Sequence, residues 1–489
     1  MSAPGRALPE APGRRGWCPS LARPMPTGDG LLARVHPPLG ILTPAQARAV
    51  AEGARRFGNG HIDLTGRANL QVRGVREATR APLAQMLGAV GLGDVRADGG
   101  PQRLTLTGPL SGHDPAETID VPRLARAIEA AGRRLAGLPA KTLVFVEGRP
   151  GAAAPDADVS VRALGPGRVA VAVAAEGGSL DLAICDADDA PAAVALLLAA
   201  FASTGRRRAR DLSACERAGL AKACHAAASP PPSAGEGGPC VSRGWERGSA
   251  TGQDVVPGAT PPKSALPSPP LLLKVPSPVG GGGTAFGPIP SAGITPLAPG
   301  RAILAVDAPF GRCTADALDR LAAVADDLGA SEIRLSPARG FVLVVTGEDR
   351  ARTHLATVAA EFITEPDDPR RTVAGCTGAP ACASGTTPTL VDAGRLAEAF
   401  RPLAARGLTA HVSGCAKGCA HPGLSDLTLV ARGGFYGIVI GGAPADPAAM
   451  HLPIEAVLER LGRASVAGLA AAFAPDGVAA ARGRDRKPA

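Results

Sequence analysis

The sequence is poor in aromatic residues and contains no long apolar run. Aromatic side chains make up 3% of the 489 residues, whereas hydrophobic residues together make up 45%. Valine, leucine, isoleucine and alanine must therefore fill the cores, and proteins that stack nucleic-acid bases on aromatic rings are disfavoured. The longest apolar candidate, residues 191–202, is shorter than the ~20 residues that cross a bilayer. It predicts a buried helix.

The amino terminus lacks the pattern of a secretory signal, since no apolar stretch follows Arg14 and Arg15. We therefore expect a cytoplasmic protein, in which the ten cysteines do not form a disulfide framework. Clustered cysteines then indicate metal binding or catalysis. The net charge is +8, but no run of basic residues is longer than Arg206–Arg208, so we expect neither a nucleic-acid nor a membrane partner.

A segment rich in proline and glycine interrupts the chain from about Ser229 to Pro299. It includes Pro230–Pro232 and Gly280–Gly283, and its few apolar residues recur with no period. Such a segment cannot bury enough surface to offset the entropy of ordering. We predict a disordered linker over residues 211–299, between two halves of the chain.

The two halves match each other when the first is shifted by 271 positions. Leu31–Val35 then falls on Ala302–Val306, and Thr43 falls on Thr314. Both threonines precede apolar residues at helical spacing, as helix N-caps do. Each copy predicts a strand, a helix, two strands and a second helix, which is a mixed α+β architecture. A groove between two such copies is a natural place for a large ligand.

Four cysteines carry the strongest chemical signal. Cys376 and Cys382 are separated by five residues, and Cys415 and Cys419 by three. Two close pairs of thiolates can surround an iron–sulfur cluster or a structural zinc ion. The five-residue spacing is less usual for zinc ribbons, so the pattern favours a cluster. Structural zinc and unrelated buried cysteines remain the alternatives.

These cysteines and their neighbours resemble the [4Fe-4S] signature of siroheme-dependent sulfite and nitrite reductases. Ser413–Pro422 is similar to the second half of that signature, and Thr65–Gln71 is similar to the Thr-x-Arg-x-x-x-Gln element of the family. The resemblance implies an internally duplicated α+β fold, with two ferredoxin-like halves and two cluster-domain-like halves around a pseudo-twofold axis. It also implies a [4Fe-4S] cluster on the four cysteines.

The implied layout covers nearly the whole chain. It consists of an N-terminal segment (1–24), a ferredoxin-like half (25–95), a cluster-free reductase-like domain (96–210), the linker (211–299), a second ferredoxin-like half (300–365), a cluster domain (366–475) and a disordered tail (476–489).

Three features resemble the branch of this family that acts in aerobic cobalamin biosynthesis. The opening Arg15–Pro19 with Pro24–Gly30 is similar to the start of those proteins, and Lys417 stands where the reductases usually carry asparagine. The chain without its linker is also short for a siroheme reductase.

This branch implies an O2-dependent monooxygenase that hydroxylates precorrin-3A at C20 and closes a γ-lactone. Electrons would come ultimately from NADH, through a separate reductase, because no dinucleotide-binding fingerprint follows a predicted strand. The resemblance also implies a mononuclear non-haem iron. The alternative is a siroheme-dependent nitrite or sulfite reductase.

Basic residues in the first copy are candidate ligands for a tetrapyrrole that carries many carboxylates. Arginine binds carboxylates through two parallel hydrogen bonds and keeps its charge. The predicted substrate-binding residues are Arg34, Arg67, Gln71, Arg73 and Lys417. The catalytic residues are not identified by the sequence.

The ligands of a mononuclear iron do not stand out. His36, His61 and His421 lie in regions that match the family, but we interpret them as structural or exposed. Asp29 is interpreted as a turn residue. Cys18 lies in the motif-like opening, and its role is left open.

Overall fold

The computed structural model describes residues 18–152, 157–176, 178–228 and 289–474, and these form one compact unit. Most of the predicted linker (229–288), the first 17 residues and the predicted tail (476–489) lie outside the described residues. No helix in the described ranges is both long enough and apolar enough to cross a membrane.

The first half contains ten of the described strands. They are β1 (Met25–Thr27), β2 (Gly30–Val35), β3 (Ile41–Leu42), β4 (His61–Leu64), β5 (Leu70–Val75), β6 (Thr105–Thr107), β7 (Val144–Glu147), β8 (Val159–Gly165), β9 (Arg168–Ala175) and β10 (Gly178–Asp186). Its helices are α1 (Pro44–Phe57), α2 (Glu77–Ala89), α3 (Val121–Arg133), α4 (Ala190–Ser203) and α5 (Ala214–Ala228).

The second half repeats this order. Its strands are β11 (Gly293–Ala298), β12 (Arg301–Asp307), β13 (Arg312–Thr314), β14 (Ile333–Ser336), β15 (Gly340–Thr346), β16 (Val373–Gly375), β17 (Ala410–Ser413), β18 (Ser425–Arg432), β19 (Phe435–Gly442) and β20 (Met450–Pro453). Its helices are α6 (Ala315–Asp327), α7 (Glu348–Val358), α8 (Thr389–Ala404), α9 (Ile454–Ala467) and α10 (Leu469–Ala472).

The predicted caps start the corresponding helices α1 and α6. The Thr43 hydroxyl accepts a hydrogen bond from the Gln46 N–H at 3.1 Å, and the Gln46 side chain accepts one from the Thr43 N–H at 3.0 Å. Thr314 accepts a hydrogen bond from the Ala317 N–H in the same way. These bonds satisfy N–H groups that have no partner inside the helix.

The two ferredoxin-like sheets exchange one short strand each. Sheet 1 has the order β1-β2-β5-β4-β13, and sheet 3 has the order β11-β12-β15-β14-β3. Thus β13 of the second half pairs with β4 of the first, while β3 of the first half pairs with β14 of the second. One core of α1, α6 and both sheets includes Val50 and Leu321, so the two copies share a single hydrophobic interior.

The other two sheets are mixed and stand beside their own helices. Sheet 2 has the order β10-β9-β8-β7-β6, and sheet 4 has the order β16-β17-β18-β19-β20. In each sheet two pairs of neighbours are parallel, β6·β7·β8 and β16·β17·β18. The core of sheet 2 includes α3 and α4, and that of sheet 4 includes α8 and α9.

The predicted linker of 211–299 is too wide at both ends. Helix α5 and strand β11 lie inside it, and Leu220 and Cys224 of α5 are buried in the core of sheet 2. Helix α5 is difficult to predict from the sequence, because its apolar residues are mostly alanines and the proline-rich segment follows it directly. Only packing against α4 and β10 identifies it as part of the first half.

Candidate functional site

The four predicted cluster cysteines lie on two loops at one edge of sheet 4. Cys376 directly follows β16, and Cys415 follows β17 by one residue. Because β16 and β17 are parallel neighbours, their carboxyl ends meet at the same edge of the sheet. The Cys376 N–H donates to the Val412 carbonyl at 3.0 Å. This bond attaches the loop of Cys376 to β17, the strand that leads to the loop of Cys415.

The cysteine side chains are within electrostatic reach of one another. Burial raises the pKa of the Cys376 thiol, and Cys382 and Cys415 raise it further. Burial and the other three thiols raise the pKa of Cys419 to about 11, which Lys417 opposes. Four thiolates around one point repel each other, so a cationic iron–sulfur core would stabilise their ionised form.

Two glycines bring backbone N–H groups to the Cys376 sulfur. Gly378 and Gly414 both donate to it. A Cβ at Gly378 would lie 2.2 Å from the Thr389 hydroxyl, and its φ of +63° also disfavours other residues. N–H donors to cysteine sulfur are one of the ways in which proteins adjust an iron–sulfur cluster. The donor set and this cradle therefore fit a [4Fe-4S] cluster.

The described residues offer no site for a single metal ion. In the described ranges, no group of three or more His, Cys, Asp or Glu side chains is placed to hold one ion. Asp29, which we interpreted as a turn residue, lies between β1 and β2 and accepts hydrogen bonds from Thr27 and Asn59. The residues present therefore do not fit the mononuclear iron that the resemblance implies.

One face of sheet 1 carries a row of polar side chains across four strands. Arg34 of β2 is paired in register with Gln71 of β5, Gln71 with Asp63 of β4, and Asp63 with Arg312 of β13. Side chains that are directly paired across antiparallel strands point to the same face. The opposite face, with Ala33 and Val72, belongs to the shared core.

Arg34 is held in place by Gln71. Its Nη2 and Nε donate to the Gln71 Oε1 at 2.8 and 3.2 Å. Burial lowers the pKa of Arg34; Cys18 opposes this shift and Arg67 adds to it. In the described part of the chain Arg34 has no ion pair with a carboxylate, so its guanidinium is oriented by the neutral side chain of Gln71.

Arg67 and Arg103 extend this positive region, and Arg103 was not among the predicted residues. Burial, opposed by Glu129, lowers the pKa of Arg103 to about 10, and Arg67 and Arg34 contribute to the shift. Burial also lowers the pKa of His36, together with Arg103 and Arg34, and its Nδ1 has no hydrogen-bond partner in the described residues. The structure thus brings Arg34, Arg67 and Arg103 together, although Arg103 follows no recognisable motif.

Arg73 is placed differently from the prediction that it binds substrate. Its side chain is 4% exposed and forms ion pairs with Asp29 at 2.8 Å and Asp63 at 3.0 Å. Its Nη2 also donates to the Ala381 carbonyl at 2.7 Å, inside the first cysteine loop. This placement favours a structural role, in which Arg73 fastens the cysteine loop to sheet 1.

Arg312 acts in parallel with Arg73. It donates to both oxygens of Asp63, at 2.6 and 3.1 Å, and to the Thr377 hydroxyl at 3.2 Å. Asp63 therefore orients two guanidiniums that each contact the loop between Cys376 and Cys382. Sequence reasoning missed Asp63 and Arg312, because only the exchange of β13 places them side by side.

Lys417 lies on the loop between Cys415 and Cys419. Its Nζ donates to the Ser384 hydroxyl at 3.3 Å, which links the two cysteine loops. His421 follows closely and forms an edge-to-face contact with buried His411, with ring centroids 5.8 Å apart. Contact between Lys417 and a substrate stays a prediction.

The corresponding edge of sheet 2 carries carboxylates where sheet 4 carries cysteines. Asp114 and Glu117 lie on the loop after β6, and Glu147 ends β7. Burial raises the pKa of Glu117 to about 7; Asp114 and Glu147 add to the shift, and the Gly112 N–H opposes it. These three carboxylates lie at the edge of sheet 2 that corresponds to the cysteine edge of sheet 4. Because the folded and unfolded states hold the Glu117 proton differently, the free energy of unfolding depends on pH.

Glu117→Gln is expected to remove part of the pH dependence of stability. The folded protein keeps a proton on Glu117 that an unfolded chain loses near its ordinary value of 4.5. The free energy of unfolding therefore falls as pH rises from about 4.5 to about 7. Thermal unfolding of Glu117→Gln should show a smaller fall across this window, whereas Glu77→Gln, on the exposed start of α2, should behave like the wild type. Identical profiles for Glu117→Gln and the wild type would contradict this assignment.

Comparison with known proteins identifies similar chains over nearly the full length. The chain is 33% identical over 444 residues to a precorrin-3B synthase from Sinorhizobium sp., covering 88% of this chain and 83% of that protein. Residues 23–90 match the nitrite/sulfite reductase ferredoxin-like half domain.

More distant matches are ferredoxin–nitrite reductases. That of Synechococcus elongatus is 34% identical over 140 residues, about a quarter of either chain, and that of Arabidopsis thaliana is 26% identical over 152 residues. The structure of the Mycobacterium tuberculosis NirA protein superposes with a TM-score of 0.60 at 19% identity, covering 88% of this chain and 80% of that one. The fold is therefore that of the nitrite/sulfite reductases, as the sequence predicted.

Proposed function

This chain belongs to the precorrin-3B synthase family and is an oxidoreductase, and we propose that it carries out the synthase reaction of aerobic cobalamin biosynthesis. In that reaction precorrin-3A is hydroxylated at C20, and an acetate side chain closes a γ-lactone onto C1. One oxygen atom of O2 enters the product and the other leaves as water. Two electrons come ultimately from NADH, which a separate reductase would oxidise.

The observation that supports the proposal is that one face of sheet 1 carries both Arg34 and the two arginines that contact the loop of Cys376 and Cys382. Arg73 and Arg312 on this face bind the loop of Cys376 and Cys382. Arg34 lies on the same face, two strands from Asp63. A tetrapyrrole with many carboxylates and an electron-transferring centre need such neighbouring sites.

Cys376, Cys382, Cys415 and Cys419 would hold the cluster. When bound, a [4Fe-4S] cluster accepts and passes on single electrons. The chain's own part is to supply four thiolates, donate N–H groups from Gly378 and Gly414, and fasten the loops. The described residues offer no three-ligand group for a mononuclear iron, and that iron has no part in the steps proposed here.

The substrate carboxylates would bind to the positive region around Arg34. Gln71 orients the Arg34 guanidinium, and Arg67 and Arg103 add positive charge beside it. Arginine in this setting favours paired hydrogen bonds to a carboxylate, which orient the macrocycle as well as hold it. Lys417, between two cluster cysteines, would reach a carboxylate on the cluster side.

Arg34→Ala is expected to weaken precorrin-3A binding. Loss of a charge-assisted pair of hydrogen bonds should raise the dissociation constant about 10- to 100-fold. Anaerobic titration followed by absorption measures this constant, with iron and sulfide content checked in parallel. Arg162→Ala, which removes an arginine paired with Asp181 on sheet 2, is the matched control. Equal affinity in Arg34→Ala and the control would place the carboxylates elsewhere.

The decisive test is cofactor analysis of anaerobically purified protein, followed by an activity assay. We expect iron and acid-labile sulfide without siroheme, and conversion of precorrin-3A that depends on O2 and on reducing equivalents. Stoichiometric siroheme with reduction of nitrite or sulfite would instead support a siroheme-dependent reductase. A preparation that contains zinc and no sulfide would overturn both.

A further inference from the structure

Arg339 adopts a backbone conformation that arginine rarely takes. Its φ is +64°, in the left-handed region that favours glycine and asparagine. The residue 271 positions earlier, Ala68, has a φ of +50°, and Leu39 and Phe310 form a second such pair at +54° and +55°. The conformation therefore belongs to the duplicated fold. The long cationic side chain is present in the second copy only.

The guanidinium of Arg339 contacts the second cysteine loop, which carries Cys415 and Cys419. Its Nη2 donates to the Ala420 carbonyl at 2.7 Å, and Ala420 directly follows Cys419. Its Nε is buried and has no hydrogen-bond partner in the described residues. Burial lowers the pKa of Arg339, while Asp63 and the Cys376 thiolate oppose this shift. One arginine thus contacts the loop of Cys419 and also interacts electrostatically with Cys376.

The surroundings of Arg339 are shaped to admit it. A Cβ at Gly311 would come within 2.6 Å of the Arg339 Cδ, so the glycine leaves the space that the side chain crosses. Arg339 then lines a cavity together with Ala374 and Gly375, the residues that lead into Cys376. A side chain that only filled space would not need a charge at this buried position.

No carboxylate in the described residues forms an ion pair with Arg339. Asp63, the nearest acidic influence, already receives hydrogen bonds from Arg73 and Arg312. Three guanidiniums contact the two cysteine loops, through the Ala381 carbonyl, the Thr377 hydroxyl and the Ala420 carbonyl. Among the described residues, Asp29 and Asp63 form ion pairs with Arg73 and Arg312, whereas Arg339 has no carboxylate partner and adds a positive charge beside the cysteines.

We propose that Arg339 is a positioning residue that raises the reduction potential of the cluster held by Cys376, Cys382, Cys415 and Cys419. Reduction adds a negative charge to the cluster, and a fixed positive charge in a poorly solvated site stabilises the reduced form more than the oxidised one. The same guanidinium holds the loop of Cys419 by its bond to Ala420. This inference rests on the proposed cluster, and it assigns to Arg339 the ease with which that cluster accepts an electron.

The test compares the midpoint potential of three variants with that of the wild type. Arg339→Gln removes the charge, and Arg339→Lys keeps it. Arg350→Gln is the control, because Arg350 also donates to a backbone carbonyl, that of Asp327, but lies on the exposed surface of α7. Each protein is purified anaerobically, assayed for iron and sulfide, and titrated with reductant while the reduced cluster is followed by electron paramagnetic resonance.

We expect a more negative midpoint potential in Arg339→Gln, a value near the wild type in Arg339→Lys, and no change in Arg350→Gln. An intact cluster with an unchanged potential in Arg339→Gln would overturn the inference. If Arg339→Gln does not retain the cluster, Arg339→Lys decides: a retained cluster with a wild-type potential supports a role for charge, and loss in both variants refutes it. Absence of iron and sulfide from the wild type would instead defeat the proposed function.

Discussion

Cys419→Ser is expected to abolish the iron–sulfur absorption of the protein and its activity. The hydroxyl of serine ionises far less readily than a thiol and is a poor ligand for iron in a sulfide cluster. Cys419 lies on a loop outside the hydrophobic core of sheet 4, so its replacement leaves that core intact. The loss should therefore be one of cofactor and not of fold.

The measurement is iron and sulfide per chain with the visible absorption spectrum, on anaerobically purified protein. Cys215→Ser is the matched control, since Cys215 is an exposed cysteine at the start of α5. Circular dichroism checks that both variants are folded. An undiminished cluster spectrum in Cys419→Ser would remove this cysteine from the proposed ligands.

Arg73→Met is expected to lower the free energy of unfolding by about 3–5 kcal/mol, because it leaves the largely buried Asp29 carboxylate without its cationic partner and leaves Asp63 with Arg312 alone. Asp29 and Asp63 are 14% and 13% exposed, so water replaces the lost guanidinium poorly. The first cysteine loop also loses its bond from Arg73 to the Ala381 carbonyl.

Urea unfolding of the cluster-free protein measures this change without interference from the cofactor. Arg55→Met is the control: Arg55 pairs with the carboxylates of Glu52, Asp316 and Asp319, but all four side chains are exposed. Its loss should cost less than about 1 kcal/mol. Adding Asp29→Asn to Arg73→Met should recover part of the stability, because the unpaired charge of Asp29 is removed, whereas Asp63 still pairs with Arg312. Equal losses for Arg73→Met and Arg55→Met would show that burial does not control this network.

Several elements could be predicted because their signals are local. Helices α1 and α6 follow apolar residues at helical spacing after a threonine cap, and both begin where that pattern predicts. The duplication appears in the printed sequence as a constant shift of 271 residues, and the structure repeats it in the order of strands.

Other elements were missed because their signal depends on neighbours. Strand β10 exposes Leu180 and Ile184 and carries acidic residues, so it lacks an obvious alternation, and pairing with β9 makes it a strand. The reciprocal exchange of β3 and β13 involves two or three residues each. Such short segments carry no period of their own.

The duplication also separates functional from structural positions once the structure is known. Arg34 and Gln71 correspond to Ala305 and Val342, which lie with Ile303 in a small apolar cluster on sheet 3. The positions of Arg34 and Gln71 are thus polar in one copy and apolar in the other. A residue that differs from its counterpart in this way indicates a functional role, because the fold forms in the other copy without it.

The duplicated α+β architecture, the starts of helices α1 and α6 and the spacing of the four candidate ligand cysteines can be read from the sequence alone. These follow from periodicity, capping and spacing, which act within a few residues. The tertiary structure was needed to show that Asp63 orients Arg73 and Arg312, that Arg103 lies near Arg34 and Arg67, and that Arg339 contacts the second cysteine loop. Those contacts join residues that are far apart along the chain. They depend on strand register and on the packing of one copy against the other, which no local pattern specifies.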